Sequence, residues 1–391
     1  MKTILMKTGA ILLSVVLFLC VLPAAAAALS YNTGERHTVC TALSPQAEAY
    51  YTGSYAPEAL YAMEGSLTAP MQSEMYTALN ALMTTTHTTQ ISYNGGSNGL
   101  QVYFPYSDAQ TNGSGGTNGT LYFYSESVNP TNTGLTREHV WPKSHASFYQ
   151  RYGGADLHHL RPDYQGPNSS RGNATMGDVK LKGSNYRLYP AGSTESTAVL
   201  WHGYGYVEVR DNIKGDVARI FLYVWCRWKQ PNMYEDVPQH LLPPFDPDDN
   251  ANDGIRVMEN LDTLLRWMEV DPVDDWEMGR NDIAQQVQGN RNVFIDYPEL
   301  AWLIFGREVP EGYPTPSGYA AEPKPVFVWG DANCDSDVNT ADAAALLRHL
   351  AGIQLLTPQG IINASVVDGV TLSTADAALI LRYLAGLYTI N

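Results

Sequence analysis

Two adjacent side chains, Glu138 and His139, have the types that a metal-dependent hydrolase needs. Hydrolysis of a phosphodiester requires an activated water, a cation near the developing negative charge, and help for the leaving oxygen. A glutamate gives one oxygen ligand to a hard cation such as Mg²⁺, which keeps several of its waters. A histidine is a suitable base for removing a proton from water. An isolated Glu-His pair is more often structural, so the interpretation depends on the surrounding motifs.

Several further motifs surround this pair. Residues 137–144 read REHVWPKS, residues 156–162 read DLHHLRP, and residues 168–173 read NSSRGN. Residues 215–219 (GDVAR), 276–281 (WEMGRN) and 289–299 (GNRNVFIDYPE) continue the series. In this order the motifs resemble those of the bacterial endonuclease I family, from about residue 50 to residue 306. Several separate motifs in one order are far more specific than any single short pattern.

The resemblance implies a ββα-metal finger, also called a His-Me finger, and gives its residues roles. His139 matches the general base, and Glu138 and Asn168 match the side chains that hold the catalytic Mg²⁺. The first strand of the finger would carry Glu138 and His139, the second would carry residues 156–160, and the helix would begin near Asn168. An amide oxygen with a carboxylate is a sensible pair of ligands for a hard ion that must stay open to phosphate.

The catalytic arginine is open between two candidates, Arg171 and Arg151. A guanidinium suits two phosphate oxygens, so Arg171, and Arg161 beside the second strand, are candidate phosphate contacts. The family places a transition-state arginine between the two strands, and Arg151 is the arginine found there.

Other polar residues of the motifs have a structural and a functional interpretation. His158 and His159 either are buried structural rings or support the metal ligands from behind. A buried network that holds the helices around the finger is the interpretation favoured for Asp216 and Arg219, while Arg291 is left open. Five residues fit the later family motifs. These residues are Arg219, Asn281, Asn290, Arg291 and Asn292.

Helices and short strands must position these residues, so the predicted fold class is α+β, with mostly helical surroundings. The pattern from residue 44 to 82 is helical, and residues 216–228, 261–270 and 275–288 predict further helices. The region from 84 to 133 is rich in Gly, Asn, Ser and Thr, with strand-like runs at 101–104 and 121–124.

The C-terminal region contains an internal repeat. Residues 340–352 (TADAAALLRHLAG) recur as residues 374–386 (TADAALILRYLAG), and each copy reads as an amphipathic helix with a Gly cap. The first copy follows oxygen-bearing side chains with the spacing of a Ca²⁺-binding loop. These candidate Ca²⁺ ligands are Asp331, Asn333, Asp335, Asp337, Asn339 and Asp342.

A loop and helix followed by a second copy resembles a type I-like dockerin, a small all-α, EF-hand-like module. The resemblance implies a cohesin module of a scaffold protein as the partner. In the second loop Asp368 is out of register with Asp376, so Ca²⁺ and a metal-free packed loop are both open there.

Length, charge and the N-terminus complete the prediction. The chain has 391 residues and a formal net charge of -16, which argues against a large basic surface that holds nucleic acid. A basic start, an apolar run and an alanine tract predict a secretory signal peptide over residues 1–28, and no membrane span is expected. A nuclease domain over 44–309, a linker over 310–329 and a dockerin module over 330–391 would follow.

The sequence therefore predicts a secreted, Mg²⁺-dependent endonuclease that cleaves DNA and/or RNA with little sequence preference, attached to a cell surface or a cellulosome-like assembly. Two alternatives are carried. One is a non-catalytic nucleic-acid-binding or adhesion protein that retains the fold. The other is a carbohydrate-active enzyme, the usual companion of a dockerin, although no carboxylate pair with glycosidase roles can be picked out.

Overall fold

The computed structural model describes residues 29–94, 99–112, 116–145, 153–179, 186–203, 206–229, 261–319, 328–367 and 371–389. The chain divides into two compact units, one of Met1–Val309 with Tyr313–Tyr319 and one of Pro310–Gly312 with Ala320–Asn391. The predicted signal peptide and Arg151 lie outside the described residues. Within the described ranges, no helix has the length and apolarity that a membrane crossing requires.

The first unit combines helices with small sheets, which confirms mixed α and β content. Its α-helices are α1 (Pro45–Tyr50), α2 (Pro57–Tyr61), α3 (Glu74–Thr85), α4 (Leu100–Ser107), α5 (Gln165–Arg171), α6 (Lys214–Trp228), α7 (Leu261–Val270), α8 (Asp275–Gln288), α9 (Val293–Asp296) and α10 (Leu300–Leu303). Its strands are β1 (Ala109–Thr111), β2 (Thr117–Leu121), β3 (Val128–Asn129), β4 (Thr136–His139), β5 (Leu160–Asp163), β6 (Thr175–Met176), β7 (Arg187–Tyr189), β8 (Leu200–Gly203) and β9 (Tyr206–Val209).

The strands form sheets in the orders β1-β2-β3, β4-β5 and β6-β9-β8-β7. Strands β4 and β5 are antiparallel, with Glu138 opposite Arg161 and His139 opposite Leu160. Helix α5 follows β5 after one residue, so two strands and a helix occur in the order that the finger requires.

Two boundaries of this finger differ from the prediction. The second strand was expected over 156–160 but spans Leu160–Asp163, because a turn precedes it in which the amides of His159 and Leu160 both donate to the carbonyl of Asp156. The helix begins three residues before Asn168, at Gln165, and ends at Gly172, whose φ of 59° suits a residue without a Cβ.

Helix α6 forms the centre of the first unit, and its side chains are buried from Lys214 to Cys226. A helix that is apolar around most of its surface is stable only inside a core, and α6 packs against α7 and α3. The predicted helices at 216–228, 261–270 and 275–288 are confirmed. The carboxylate of Asp274 caps the first turn of α8, and Gly289 ends the helix with φ of 97°.

The strand-like run at 101–104 was wrong, since these residues lie in helix α4. Leu100 and Phe104, four residues apart, are both fully buried on one side of that helix. The run at 121–124 overlaps β2 only at Leu121. In the expected linker, Tyr313 is buried against Trp302, and Ser317 donates to the carboxylate of Glu299, so residues 313–319 pack with the first unit.

The described part of the second unit contains three short helices, α11 (Thr340–Leu350), α12 (Pro358–Ala364) and α13 (Thr374–Leu384). Both repeated helices begin with a capping box, formed by Asn339 with Asp342 and by Ser373 with Asp376. The small core of this unit includes Leu346 and other apolar residues. The repeat thus folds into two equivalent capped helices, as the sequence predicts.

Candidate nuclease site

Glu138 lies near the end of β4 with its carboxylate buried and only 2% of the residue exposed. Its Oε1 accepts a hydrogen bond of 2.6 Å from the hydroxyl of Tyr124 and one of 3.3 Å from Nη1 of Arg171. Both contacts fall on the same oxygen, and no described residue bonds Oε2. Burial raises the pKa of Glu138, although Arg171 and Tyr124 oppose that shift. A cation at Oε2 would favour the charged form of this carboxylate.

Asn168 is held against the same strand by Thr136. The hydroxyl of Thr136 donates to the backbone carbonyl of Asp163 at 2.8 Å, so its oxygen must act as acceptor toward Asn168. The amide Nδ2 of Asn168 donates to that oxygen at 3.2 Å. This orientation directs the other end of the amide, Oδ1, away from Thr136. Because Thr136 and Glu138 are two residues apart in a strand, Asn168 lies on the face of β4 that carries Glu138.

His139 ends β4 on the opposite face, and its ring is mostly buried. The ring centroids of Tyr93 and His159 each lie 5.6 Å from that of His139. Burial lowers the pKa of His139 to about 3, and the charges of nearby residues, including Lys143, act in the same direction. The imidazole is therefore neutral at neutral pH, the form with a nitrogen lone pair that can accept a proton.

His158 and His159 have different surroundings. Nε2 of His159 lies 2.9 Å from the carbonyl and 3.1 Å from the amide nitrogen of Trp141, which places its ring against His139. Nε2 of His158 contacts the carbonyl of Asn290 at 3.0 Å, and its ring packs on Tyr223 at 4.8 Å. His158 is thus a core residue, whereas His159 supports the candidate base.

Arg171, from the last turn of α5, is buried and has protein partners. Besides Glu138, its guanidinium donates to the carbonyl of His139 at 2.9 Å and to that of Val140 at 2.5 Å. Arg171 therefore holds the end of β4 and one oxygen of Glu138. A contact between Arg171 and substrate phosphate stays a prediction.

Arg161 is also buried, and its guanidinium pairs with Asp216 at 2.8 Å and with Asp108 at 3.3 Å. The expected phosphate contact for Arg161 is wrong, because two carboxylates inside the core neutralise it. The presence of an arginine in a motif does not indicate which carboxylates it pairs with. Here the two carboxylates are 53 and 55 residues away in the sequence.

Asp156 connects the finger to the helices behind it, a role that the sequence did not indicate. Its carboxylate accepts hydrogen bonds from the Tyr223 hydroxyl, Trp228 Nε1, Gln288 Nε2 and the His158 amide. Burial would raise the pKa of Asp156, but His87, His158 and the donors outweigh it, and the net pKa is lowered. Asp156 is a buried anion that joins β5 to α6 and α8. The hydroxyl of Tyr124, the partner of Glu138, was missed as well.

The later motifs build the architecture around the finger. Arg219 pairs with Glu277, with Nε 2.9 Å from Oε1. Arg291 pairs with Asp296, its Nε 2.7 Å from Oδ2, and is fully buried. The predicted network is therefore present, and Arg291 belongs to it. Asn281, Asn290 and Asn292 donate to Asp296, Tyr223 and the carbonyl of Arg219, respectively.

In the parts of the chain that the structure describes, no three His, Cys, Asp or Glu side chains converge as metal ligands. In the first loop of the second unit, Asp331 accepts from the amides of Asp335 and Ser336, and Asp342 accepts from the amides of Asn333 and Asn339. These carboxylates hold the loop through its own N–H groups. In the second loop Asp376 does the same with Val366 and Val367.

Comparison with known proteins adds independent information on the first unit. The family model described as Endonuclease I matches residues 61–299, which include the whole finger. An extracellular ribonuclease of Bacillus amyloliquefaciens is 40% identical over 167 residues, covering 42% of this chain and 52% of that protein. An extracellular ribonuclease of Bacillus subtilis (strain 168) is 38% identical over 180 residues, covering 45% and 56%. The chain thus spans about half the length of the curated relatives it matches.

Proposed function

Because this chain belongs to the endonuclease I family, we propose that it is a secreted enzyme that hydrolyses phosphodiester bonds in RNA and DNA with little sequence preference. Family membership confirms the prediction of a nuclease domain. One observation carries the finer proposal: Glu138 and Asn168 are each held at one end on one face of β4, and His139 is the next residue of that strand.

The donor set fits a hard divalent cation. Oε2 of Glu138 and Oδ1 of Asn168 have no bond to a described residue, and the opposite end of each side chain is fixed. A carboxylate and an amide oxygen leave most of the coordination sphere of Mg²⁺ to water and phosphate. We propose that these two residues hold Mg²⁺, which when bound would stabilise negative charge on the phosphate.

His139 is the proposed base. Its neutral ring accepts a proton from the attacking water, and the contacts of His159 and Tyr93 restrict where the ring can lie. Arg171 fixes the backbone on which His139 is carried, through the carbonyls of His139 and Val140. The proposed groups act on the phosphates of the substrate. Contacts to the sugar-phosphate backbone of a nucleic acid carry no sequence information, which supports cleavage with little sequence preference.

The names of the two relatives support RNA as a substrate and the outside of the cell as the place of action. Both points are proposals here, since each relative matches over about half of its length. DNA is retained beside RNA because the groups proposed here act on phosphate, which both nucleic acids contain.

Digestion of plasmid DNA and of RNA by the purified chain tests this function, with Mg²⁺, with EDTA and with His139→Ala. His37→Ala is the control, because His37 is 44% exposed and pairs with Glu126 outside the finger. We expect cleavage with Mg²⁺ that EDTA abolishes, that His139→Ala reduces by about 100-fold or more, and that His37→Ala retains. A folded wild type that cleaves neither substrate with any of several divalent ions would refute the proposal and favour the non-catalytic alternative.

We propose that the second unit is a dockerin that binds a cohesin on a scaffold protein. The two repeated segments, α11 and α13 with the three residues after each, expose apolar side chains at positions related by the repeat, 34 residues apart. The pairs are Leu347 with Leu381, Leu350 with Leu384, and Ile353 with Leu387, all at least 37% exposed. Exposed apolar groups that recur at equivalent positions are typical of a contact surface.

The proposal of Ca²⁺ in the first loop rests on the spacing of the oxygen-bearing residues in the sequence. In the structure, the carboxylates of Asp331 and Asp342 accept hydrogen bonds from backbone amides of the loop. Titration with Ca²⁺ tests it, with the change in tryptophan fluorescence as the signal. Trp329→Phe identifies the share of Trp329, which packs within this unit on Tyr383. A saturable change that Asp331→Ala removes is expected, while nuclease activity stays unchanged. No change up to millimolar Ca²⁺ would refute calcium binding.

A further inference from the structure

The arginines of the first unit are mostly neutralised by carboxylates. Among the described residues, nine of its arginines form ion pairs: Arg36, Arg161, Arg171, Arg210, Arg219, Arg266, Arg280, Arg291 and Arg307. Arg137, Arg187 and Arg227 have no carboxylate partner among the described residues. In a chain of net charge -16, a positive charge left uncompensated is unusual and can act only locally.

Arg137 is the one of these three that lies in the finger. It stands in β4 directly before Glu138 and two residues before His139, so Arg137 and His139 share a face of the strand. Arg187 lies in β7 and contacts His202, and Arg227 lies near the end of α6 over the ring of Trp228.

The guanidinium of Arg137 is held in place by Tyr93. It stacks 4.1 Å from the centroid of the Tyr93 ring, and Nη1 donates to the Tyr93 carbonyl at 2.7 Å. The same ring lies 5.6 Å from His139. Arg137, Tyr93 and His139 therefore form one contiguous cluster of side chains at the end of β4.

Among the described residues, this arrangement leaves most donors of the guanidinium for a ligand. An arginine has five N–H donors, and stacking on an aromatic ring fixes its plane without using any of them. The Tyr93 carbonyl accepts from one nitrogen. Arg137 as a residue is half-buried, and the planar fork of its guanidinium matches two nonbridging oxygens of a phosphate.

We propose that Arg137 binds a backbone phosphate of the nucleic acid, on the His139 face of β4. This inference rests on the proposed nuclease function and adds a substrate-binding residue to it. Because the contact is present before and during the reaction, it affects substrate affinity more than the rate of the bound complex.

The test compares wild type with Arg137→Gln, Arg137→Lys and Arg348→Gln, measuring kcat and KM on labelled RNA with Mg²⁺ from 50 to 200 mM salt. Arg348→Gln is the matched control, since Arg348 is exposed in α11 of the other unit and the substitution changes the net charge equally. Thermal unfolding of each variant identifies any loss of the fold.

We expect Arg137→Gln to raise KM by about 10-fold and to leave kcat within about threefold. The slope of log KM against log salt should fall by about 0.7, the share of one phosphate contact on a single strand. Arg137→Lys should keep the slope, with an intermediate KM, because it retains the charge but not the fork. Arg348→Gln should match wild type.

An active wild type whose KM and salt slope are unchanged in Arg137→Gln would overturn the inference and leave the proposed function intact. A lower kcat with unchanged KM and slope would also overturn it, since Arg137 would then act only by holding Tyr93 and His139. A folded wild type without cleavage would overturn both proposals.

Discussion

The hydrogen bond from Tyr124 to Glu138 gives the sharpest test of the candidate metal ligand. Tyr124→Phe removes a hydroxyl that lies 2.6 Å from Oε1, between two fully buried side chains. The remaining anchor, Arg171, is longer at 3.3 Å. A hydrogen bond to a charged acceptor contributes about 1.5–3 kcal/mol. Loss of such a partner behind a metal ligand typically lowers metal affinity by about 10–100-fold.

The assay is a titration of the substrate-free protein with Mn²⁺, followed by its paramagnetic resonance signal, with thermal unfolding measured in EDTA. Tyr51→Phe is the matched control, because the Tyr51 hydroxyl donates at 2.7 Å to the buried carboxylate of Asp296, outside the finger. Both variants should be destabilised by a similar amount. Only Tyr124→Phe should bind Mn²⁺ more weakly.

Equal Mn²⁺ affinity in wild type and Tyr124→Phe would refute the reasoning that Tyr124 orients Glu138. An equal loss of affinity in Tyr51→Phe would refute it as well, because the effect would then follow from general destabilisation. This measurement does not depend on cleavage, so it separates the geometry of the ligand from the activity of the enzyme.

Three further predictions concern other parts of the structure. Thr136→Val should lower Mn²⁺ affinity by about 10-fold in the same titration, because Asn168 loses the acceptor that orients its amide; unchanged affinity would contradict this. Asp156→Asn should cost about 3 kcal/mol at pH 7 in urea unfolding. Since the folded pKa of Asp156 is lowered, its contribution is present above the unfolded pKa of about 3.9 and is lost as the pH falls toward the folded value, so the cost should shrink in acid. A cost independent of pH would contradict that assignment. The double substitution Leu347→Ser with Leu381→Ser should abolish cohesin capture without lowering the unfolding temperature of the second unit. Retained capture would contradict the proposal that these two side chains contact the cohesin.

The helices were predictable where their apolar periodicity agrees with the tertiary structure. Helices α7 and α8 begin and end at the residues that the pattern indicates. The run at 101–104 failed because its β-branched and aromatic residues favour a strand locally, while burial of Leu100 and Phe104 on one side requires a helix. Periodicity over four residues cannot separate these outcomes.

In the candidate site, the sequence brought together Glu138, His139 and Asn168, and the structure places all three around β4 and α5. Which arginine faces solvent was not predictable. Burial and pairing depend on residues distant in sequence, such as Asp108 for Arg161, and no local pattern reports them. The same reason explains why Tyr124 was missed among the many tyrosines of the chain.

The carboxylate of Asp156 also determines how separable the finger is from its scaffold. One anion collects donors from the core helix α6 and from Gln288, 132 residues further along the chain. A peptide of residues 137–173 would contain Glu138, His139 and Asn168 and still lack the groups that stabilise the turn before β5. Grafting this finger onto another protein would therefore require the facing surfaces of α6 and α8 as well. A chain in which α6 and α8 have not yet packed against this turn would lack the donors that hold Asp156.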